Sequence, residues 1–585
     1  MGRTANMSMA PFLKPYRKQL IVGPLFKLLE AVLELLLPTL MSLLIDQGVR
    51  NHDQSYILNM GGQMLLTAVV GIASALICQY SASIASQGFG TRLRNELFNR
   101  INHLDVARVE RIGTSSLTNR ITNDVNTLQQ GVAMLIRLVI RAPFLCIGGF
   151  VMAVLLHAKL AMIVLAGIFL FLVVMIFIMR WSVPRYKGVQ ARLDTLSRIL
   201  RENLSGVRVI RAFSRVDHER QRFREENSQY RQAAERVGRV AAALNPTTLL
   251  ILNTGIVAVL WFGGVVTDRG EMSPGQIIAF TTYLTYILQA LLVVATLVQL
   301  YTRAFASLGR VNEILDMPTE ETVNLPAKHQ KAMEKKTLRF ERVSFAYEGA
   351  GEDALSDIDF TLNSGETLGI IGGTGSGKTT LVQLIPRFFD ATKGSISWGG
   401  RDIREWDVAA LRQSIGMAMQ KPLLFQGSVE SNIRWGKPDA TDEEIREAAR
   451  AAQAAEFIEA MRYGYCSVID RGGANLSGGQ RQRLNMARAL VRKPELLILD
   501  DSSSALDYAT DARLRTALRQ YQGQFGMSVI VVSQRISSIR NADCILLLDE
   551  GRCIGMGDHE TLLRENAVYQ ELCEIQSIQS RGAQA

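Results

Sequence analysis

Gly372-Gly373-Thr374-Gly375-Ser376-Gly377-Lys378-Thr379-Thr380 follows the apolar run Thr367 to Ile371 and opens a helical stretch. A strand, a glycine-rich turn and a helix start together make a P-loop. Successive backbone N–H groups surround an anion there, Lys378 reaches the terminal phosphates, and Thr379 is placed to ligate Mg²⁺. Taken alone, this stretch says that the chain binds a nucleotide. Roughly a hundred residues later come Leu476-Ser477-Gly478-Gly479-Gln480 and then the apolar strand end Leu496-Leu497-Ile498-Leu499-Asp500. A second glycine-rich helix start and a carboxylate at a strand terminus extend the phosphate-handling inventory.

Outward from this region the composition changes. The chain has 585 residues, too many for one compact core. Before residue 310 it holds long runs without charge: Gln54 to Thr91, Leu160 to Met179, Val240 to Thr267 and Met272 to Thr302. A helix crosses a bilayer with roughly 20 mostly apolar residues, so each run is long enough, and the longest should project into water. Two further segments are less clean. Leu20 to Ile45 contains Lys27, Glu30 and Glu34, and Val132 to His157 carries Arg137 and Arg141 near its start. With both, the count is six spans.

Arginine and lysine set the orientation. The connections after spans two and four hold Arg92, Arg94, Arg100, Arg108, Arg111 and Arg120, then Arg185, Lys187, Arg192, Arg198, Arg201, Arg208, Arg211 and Arg215. The connections after spans one, three and five are short and nearly neutral, so the basic ones face the cytoplasm. Most of the net charge of +10 is this bias. A nucleic-acid partner would want basic residues interleaved with stacking aromatics on a soluble domain, and the sequence has no such patch. No cleavable leader is expected ahead of Leu20. Asn6 breaks the myristoylation pattern that Met1-Gly2 begins. The six cysteines are scattered without a Cys-x-x-Cys pair, which points to buried thiols rather than a metal or a disulfide framework.

The apolar runs end after Tyr301, and Asp316 to Lys336 is polar with Pro318 and Pro326. From Thr337 short strands alternate with amphipathic helical stretches, the pattern of an α/β domain. The expected organisation is therefore a transmembrane domain over 1–310 with two long cytoplasmic helical loops, a linker over 311–336, a nucleotide-binding domain over 337–578 and a polar tail over 579–585. The stretches Gln87 to Leu128 and Tyr186 to Arg239 are charged and free of proline, and read as helices continuing into the cytoplasm.

The order P-loop, LSGGQ, acidic strand end resembles the nucleotide-binding domain of ABC transporters. With six spans ahead of it, nearly the whole chain is similar to a half-transporter of the ABC exporter type: an α-helical transmembrane bundle followed by an α/β P-loop ATPase domain. The resemblance implies ATP and Mg²⁺ as cofactors and assigns roles residue by residue. Tyr347 matches the aromatic that stacks on adenine, and Gly372 to Thr380 form the phosphate cradle. Gln420 matches the Q-loop glutamine that senses Mg²⁺ and contacts the membrane domain. Asp500 matches the Walker B aspartate, so Thr379, Gln420 and Asp500 form the metal set. Ser504 to Asp507 matches the D-loop. In this family two domains close head to tail, and Ser477, Gly478, Gly479 and Gln480 of one chain complete the pocket of the other. The stretches Gly113 to Asp124 and Gly206 to Phe213 resemble the coupling helices that dock near the Q-loop.

Two positions depart from the pattern. Asp501 stands where a glutamate usually positions the attacking water, and Gln534 stands where a switch histidine is usual. Glutamine hydrogen-bonds a phosphate but neither carries charge nor relays a proton as imidazole does. Such paired changes beside an intact P-loop and signature resemble the degenerate-site subunit of heterodimeric bacterial multidrug exporters. The implied activity is ATP-driven efflux of amphipathic molecules across the bacterial cytoplasmic membrane, with a slow ATPase pocket in this chain. The implied partner is a second half-transporter with the usual Glu and His. Alternatives are a homodimeric lipid or thiol-compound exporter, or an ATP-sensing regulatory subunit. Importers commonly keep the two domains in separate chains, and a peptidase-equipped peptide exporter would want a Cys-His domain ahead of span one. Glu34 lacks a cation within reach on its own helix and is expected to line the cavity and favour cationic amphiphiles.

Overall fold

The computed structural model of the chain describes residues 9–319 and 336–582. Most of the expected linker and the last residues of the tail lie outside that range. Among the described residues six helices are long and apolar enough to cross a membrane: Ala10–Val49, Gln54–Asn102, Thr114–Leu156, Ala158–Ser205, Pro246–Asp268 and Pro274–Asp316. Their backbone polar groups are satisfied within each helix, which the bilayer interior demands.

Spans one and six are tied near one end by a carboxylate. Asp46 Oδ1 accepts from Gly275 N–H at 2.9 Å, and Ser273 Oγ donates to Asp46 Oδ2 at 2.5 Å. A Cβ on Gly275 would lie 2.5 Å from the Ser42 carbonyl oxygen, so only glycine permits this approach. Further along, Tyr283 is fully buried and donates to the Leu35 carbonyl at 2.9 Å. Apolar packing around Ala153, Phe171, Phe280 and Leu288 joins spans three, four and six.

Glu34 is paired after all. Arg141 of span three donates to both its carboxylate oxygens at 2.8 and 3.0 Å. Lys27 and Glu30 pair at 2.7 Å, as their spacing suggests. Glu34 therefore presents no free negative charge, and the expected preference for cations loses its basis.

The cytoplasmic loops are not the uninterrupted helices that proline-free sequence suggested. Asp105 caps a separate short helix, Val106–Ile112, by accepting from Arg108 N–H at 2.8 Å, and Gly113 ends it at φ 81°. The second loop breaks at Gly206 into the short helix Val207–Ala212 and then Val216–Ala242, with Ser214 at φ 53° between them. Compactness divides the chain in an unexpected place: His103–Gly113 belongs with Pro318–Ala585, and the remaining membrane helices form the other unit. The first expected coupling stretch, Gly113 to Asp124, starts at the end of that short helix and continues into the membrane unit. Leu117 is buried, Asp124 accepts from Ser307 Oγ and from two nitrogens of Arg310, and Arg120 pairs with Glu313, all within the membrane unit. In the other unit Arg111 pairs with Glu348 at 2.9 Å, one residue beyond Tyr347.

The nucleotide-binding unit contains β1 (Leu338–Phe345), β2 (Leu355–Leu362), β3 (Thr367–Gly372), β4 (Lys393–Trp398), β5 (Arg401–Asp402), β6 (Ile415–Ala418), β7 (Gly427–Ser428), β8 (Val468–Ile469), β9 (Leu496–Asp500), β10 (Ser528–Val532), β11 (Cys544–Asp549) and β12 (Arg552–Gly557). A four-stranded antiparallel sheet runs β2-β1-β4-β5, and a six-stranded sheet runs β12-β11-β3-β10-β9-β6. In the second, β11, β3, β10, β9 and β6 are parallel. Their faces are covered on both sides, which is why β9 and β10 read as unbroken apolar runs.

Candidate nucleotide site

The site lies at the carboxyl ends of adjacent parallel strands, where loops of an open α/β sheet converge. Register sets it: Val532 lies opposite both Asp500 and Ile370, so the P-loop, the Walker B carboxylate and the switch segment leave the sheet side by side.

The P-loop conformation depends on its glycines. Gly375 and Gly377 have φ of 86° and 92°, in the left-handed region that side chains disfavour. A Cβ on Gly372 would meet the Leu548 carbonyl oxygen at 2.1 Å. Gly377 caps the helix Lys378–Leu384, leaving that helix's first N–H groups directed at the loop. Lys378 folds back and donates to the carbonyls of Gly372 at 2.9 Å and Gly373 at 2.5 Å, and to Ser376 Oγ at 3.2 Å. Burial pulls its ammonium below the ordinary lysine range, partly offset by Asp501 and Asp500. A phosphate here would replace these neutral carbonyl acceptors with anionic ones, so that both donor and acceptor are charged.

Thr379 Oγ1 donates to Asp500 Oδ1 at 3.2 Å. Asp500 is 2% exposed, and burial pushes its carboxyl up to about 6; neighbouring Asp501 adds to the rise, while Thr379 and Lys378 work against it. Asp501 is also raised, by burial first, with a hydrogen bond from Gln420 opposing. The residue sits at φ 46°, an unusual conformation for a side-chain-bearing residue, and its N–H donates to the Val532 carbonyl at 3.0 Å. Oxygen donors on Thr379, Asp500 and Gln420 beside a phosphate cradle suit a small, hard divalent cation. Tyr347 is half-exposed at the edge, steadied edge-on by Phe345 and Phe389 at ring separations of 4.9 and 5.4 Å and by a 3.1 Å contact to Thr380 Oγ1.

The signature is built as a helix start. Ser477 Oγ accepts from Gln480 N–H at 3.2 Å and Gln480 Oε1 accepts from Ser477 N–H at 2.9 Å, a reciprocal capping box for Gly478–Leu490. A Cβ on Gly479 would stand 3.0 Å from the Ala505 carbonyl oxygen. Gln482, which the sequence reading missed, joins this helix to the D-loop: its Nε2 donates to Ser504 Oγ at 3.0 Å and its Oε1 accepts from Ala505 N–H at 3.1 Å. Its neighbours Gln480, Arg481 and Arg483 are polar as well, so the sequence did not set it apart. Asp507, expected to face nucleotide, caps its own helix Tyr508–Phe525 by accepting from Thr510 N–H at 2.8 Å and Thr510 Oγ1 at 2.9 Å. Those bonds hold its carboxyl below the usual range. Gln534 is exposed, while Arg535 beside it donates to the carbonyls of Ser504 and Leu506. The structure therefore gathers the P-loop, Asp500, Asp501 and Gln420 into one pocket and ties the signature to the D-loop.

Residues 20–291 match the family described as ABC transporter transmembrane region, and 355–504 match the family described as ABC transporter. The chain is 36% identical over 571 residues to an uncharacterized ABC transporter ATP-binding protein of Mycobacterium tuberculosis, covering 97% of both chains. It is 33% identical over 512 residues to a protein of Syntrophus aciditrophicus named ATP-dependent lipid A-core flippase, covering 85% of this chain and 83% of that one. Its fold is shared with a bacterial Atm1-family ABC exporter solved with ATP bound, with a TM-score of 0.82, 23% identity, and coverage of 96% and 99%. Six candidate membrane helices among the described residues, a P-loop ATPase domain, and relatives of this length and identity make the chain a member of the ABC transporter family, with ATP hydrolysis coupled to transport.

Proposed function

We propose that the chain is one half of a two-chain exporter of amphipathic small molecules in the bacterial cytoplasmic membrane, and that its own pocket hydrolyses ATP slowly. The observation that carries this reading is a complete binding cradle combined with Asp501 and Gln534 at the two positions that act on the attacking water and the γ-phosphate. Asp501 is one methylene shorter than glutamate, so its carboxylate reaches less far toward an attacking water. Misplacing a catalytic group by about 1 Å can cost about a hundredfold in rate, so binding survives while hydrolysis suffers. Thr379, Asp500 and Gln420 would hold Mg²⁺, which when bound would neutralise charge on the phosphates. Lys378 leaves the loop carbonyls for the terminal phosphates, and Tyr347 offers its ring to the base.

Ser477, Gly478 and Gly479 then serve the partner's pocket, where the N–H groups of a helix start meet the γ-phosphate. The partner has Glu after its Walker B Asp and a switch His. A homodimeric lipid exporter is the second reading; the name of the Syntrophus relative and the neutralised Glu34–Arg141 pair favour it.

Weighing the intact complex drawn from its native membrane in mild detergent tests the proposal. A second, different chain of similar size is expected. In that complex Asp501→Glu with Gln534→His raises ATPase. A dimer of this chain alone, or no gain from the paired substitutions, refutes the slow-pocket reading.

A further inference from the structure

The C-terminal helix, Ala567–Gly582, contains none of the nucleotide motifs, yet one of its side chains reaches the switch segment. The helix is seated through Tyr569, Leu572 and Cys573, which pack with Ile536, Ile539, Ile545 and Leu547. Tyr569 is fully buried, and its hydroxyl meets His559 Nδ1 at 2.8 Å. From this seat Gln576 Nε2 donates to the Gln534 carbonyl at 2.7 Å, and Gln576 Oε1 accepts from Ile536 N–H at 2.9 Å.

Both bonds need a carboxamide. A carboxylate accepts but does not donate, and an apolar side chain does neither. Ile536 opens the short helix Ile536–Ile539, whose first N–H groups have no partner within the helix, and Arg535 at the cap position contributes no side-chain bond to them. Gln576 takes over that task from a different part of the chain. The rest of the segment is fastened as well. Ser533 N–H donates to the Ile370 carbonyl at 3.1 Å, Arg535 N–H donates to Ser533 Oγ at 3.0 Å, and the Arg535 guanidinium holds the D-loop carbonyls of Ser504 and Leu506. Gln534 itself keeps an exposed side chain on a backbone whose carbonyl is held by Gln576.

We propose that Gln576 is a positioning residue for the ATPase reaction: docked with the C-terminal helix, it fixes the backbone of Gln534 and so presents that side chain to the nucleotide. The inference rests on reading Gln534 as the switch residue. It makes turnover in this pocket depend on a helix that follows every nucleotide motif in sequence.

The test is ATP turnover by the purified full complex. If a second chain copurifies, its own catalytic carboxylate is replaced so that the turnover counted belongs to this pocket. Gln534→Ala lowers kcat. Gln576→Leu lowers kcat about three- to tenfold, with KM for ATP unchanged within about twofold, because the binding cradle is untouched. Gln576→Glu is as impaired as Gln576→Leu, since it keeps the acceptor for Ile536 N–H but loses the donor to the Gln534 carbonyl. Adding Gln576→Leu to Gln534→Ala costs nothing further, because the first acts through the second. Wild-type kcat in Gln576→Leu or Gln576→Glu, or an additional loss in the double variant, overturns the role of Gln576 while an impaired Gln534→Ala leaves the switch reading standing. Wild-type kcat in Gln534→Ala removes the switch reading and this inference with it.

Discussion

Asp500→Asn should stabilise the nucleotide-free protein while weakening its response to Mg²⁺ with ATP. The side chain is 2% exposed, and its carboxyl is raised from an ordinary 3.8 to about 6 by burial. A group whose native value lies above its unfolded value binds its proton more tightly when folded. Native stability therefore falls as pH rises from about 4 through about 6 and stays lowered above that. Converted to energy, this difference is about 3 kcal/mol of unfavourable charge burial at neutral pH. Asparagine keeps an acceptor for Thr379 Oγ1 but gives up the attraction to Lys378, so a net gain of about 1–3 kcal/mol is expected. For a domain of this size that corresponds to roughly 2–10 °C in melting temperature. The assay is thermal unfolding of the full chain in detergent at pH 5 and pH 8, with and without Mg²⁺ and ATP. Without nucleotide, the advantage of the variant should be larger at pH 8 than at pH 5. With nucleotide and Mg²⁺ the advantage shrinks, because the variant lacks the carboxylate that would hold Mg²⁺ and gains less binding energy in its folded state. A nucleotide-free variant no more stable than wild type at pH 8 would refute the argument that this carboxylate is held at an energetic cost until cation and phosphate arrive.

Asp124→Asn takes the buried carboxylate from half-exposed Arg310 while Arg120 keeps Glu313, and should cost about 1–2 kcal/mol of stability; an unchanged melting temperature would count against the cluster's structural role. Glu34→Gln strands Arg141 and should lower the yield of folded protein, whereas Glu34→Leu with Arg141→Leu should recover it; measuring detergent-stable protein for both separates pair loss from charge loss. Gly372→Ala brings a Cβ against the Leu548 carbonyl and should eliminate nucleotide binding, read by equilibrium binding of a fluorescent ATP analogue. Phe213 follows the short helix Val207–Ala212 and is 74% exposed; Phe213→Ala should uncouple transport from ATPase, and unchanged flux in sealed vesicles would rule out a coupling role for that turn.

Motifs that act through their own backbone were legible without coordinates. The P-loop and LSGGQ are contiguous, and their glycines, capping serine and lysine do their work within a few residues of one another, so spacing in sequence is spacing in space. The six spans were legible for a related reason, since crossing a bilayer constrains every residue of a helix at once. Helix interruptions were harder. Asp105 and Gly113 signal the short helix between spans two and three, but the absence of proline concealed the break. Asp507 matched a motif by position, yet its carboxylate is engaged by the next turn of its own helix.

The sequence by itself determined the fold class, the order of the domains, the nucleotide cradle and the two departures at Asp501 and Gln534, because each is written in a local pattern with a local physical meaning. Tertiary structure decided the partners. Arg141 reaches Glu34 across 107 positions, Asp46 receives Ser273 across 227, and Gln576 holds Gln534 across 42. Helical periodicity tells which face a charge occupies but not which helix packs against that face. A hydrogen bond needs its two groups within about 3 Å, a condition set only by the packing of the whole chain.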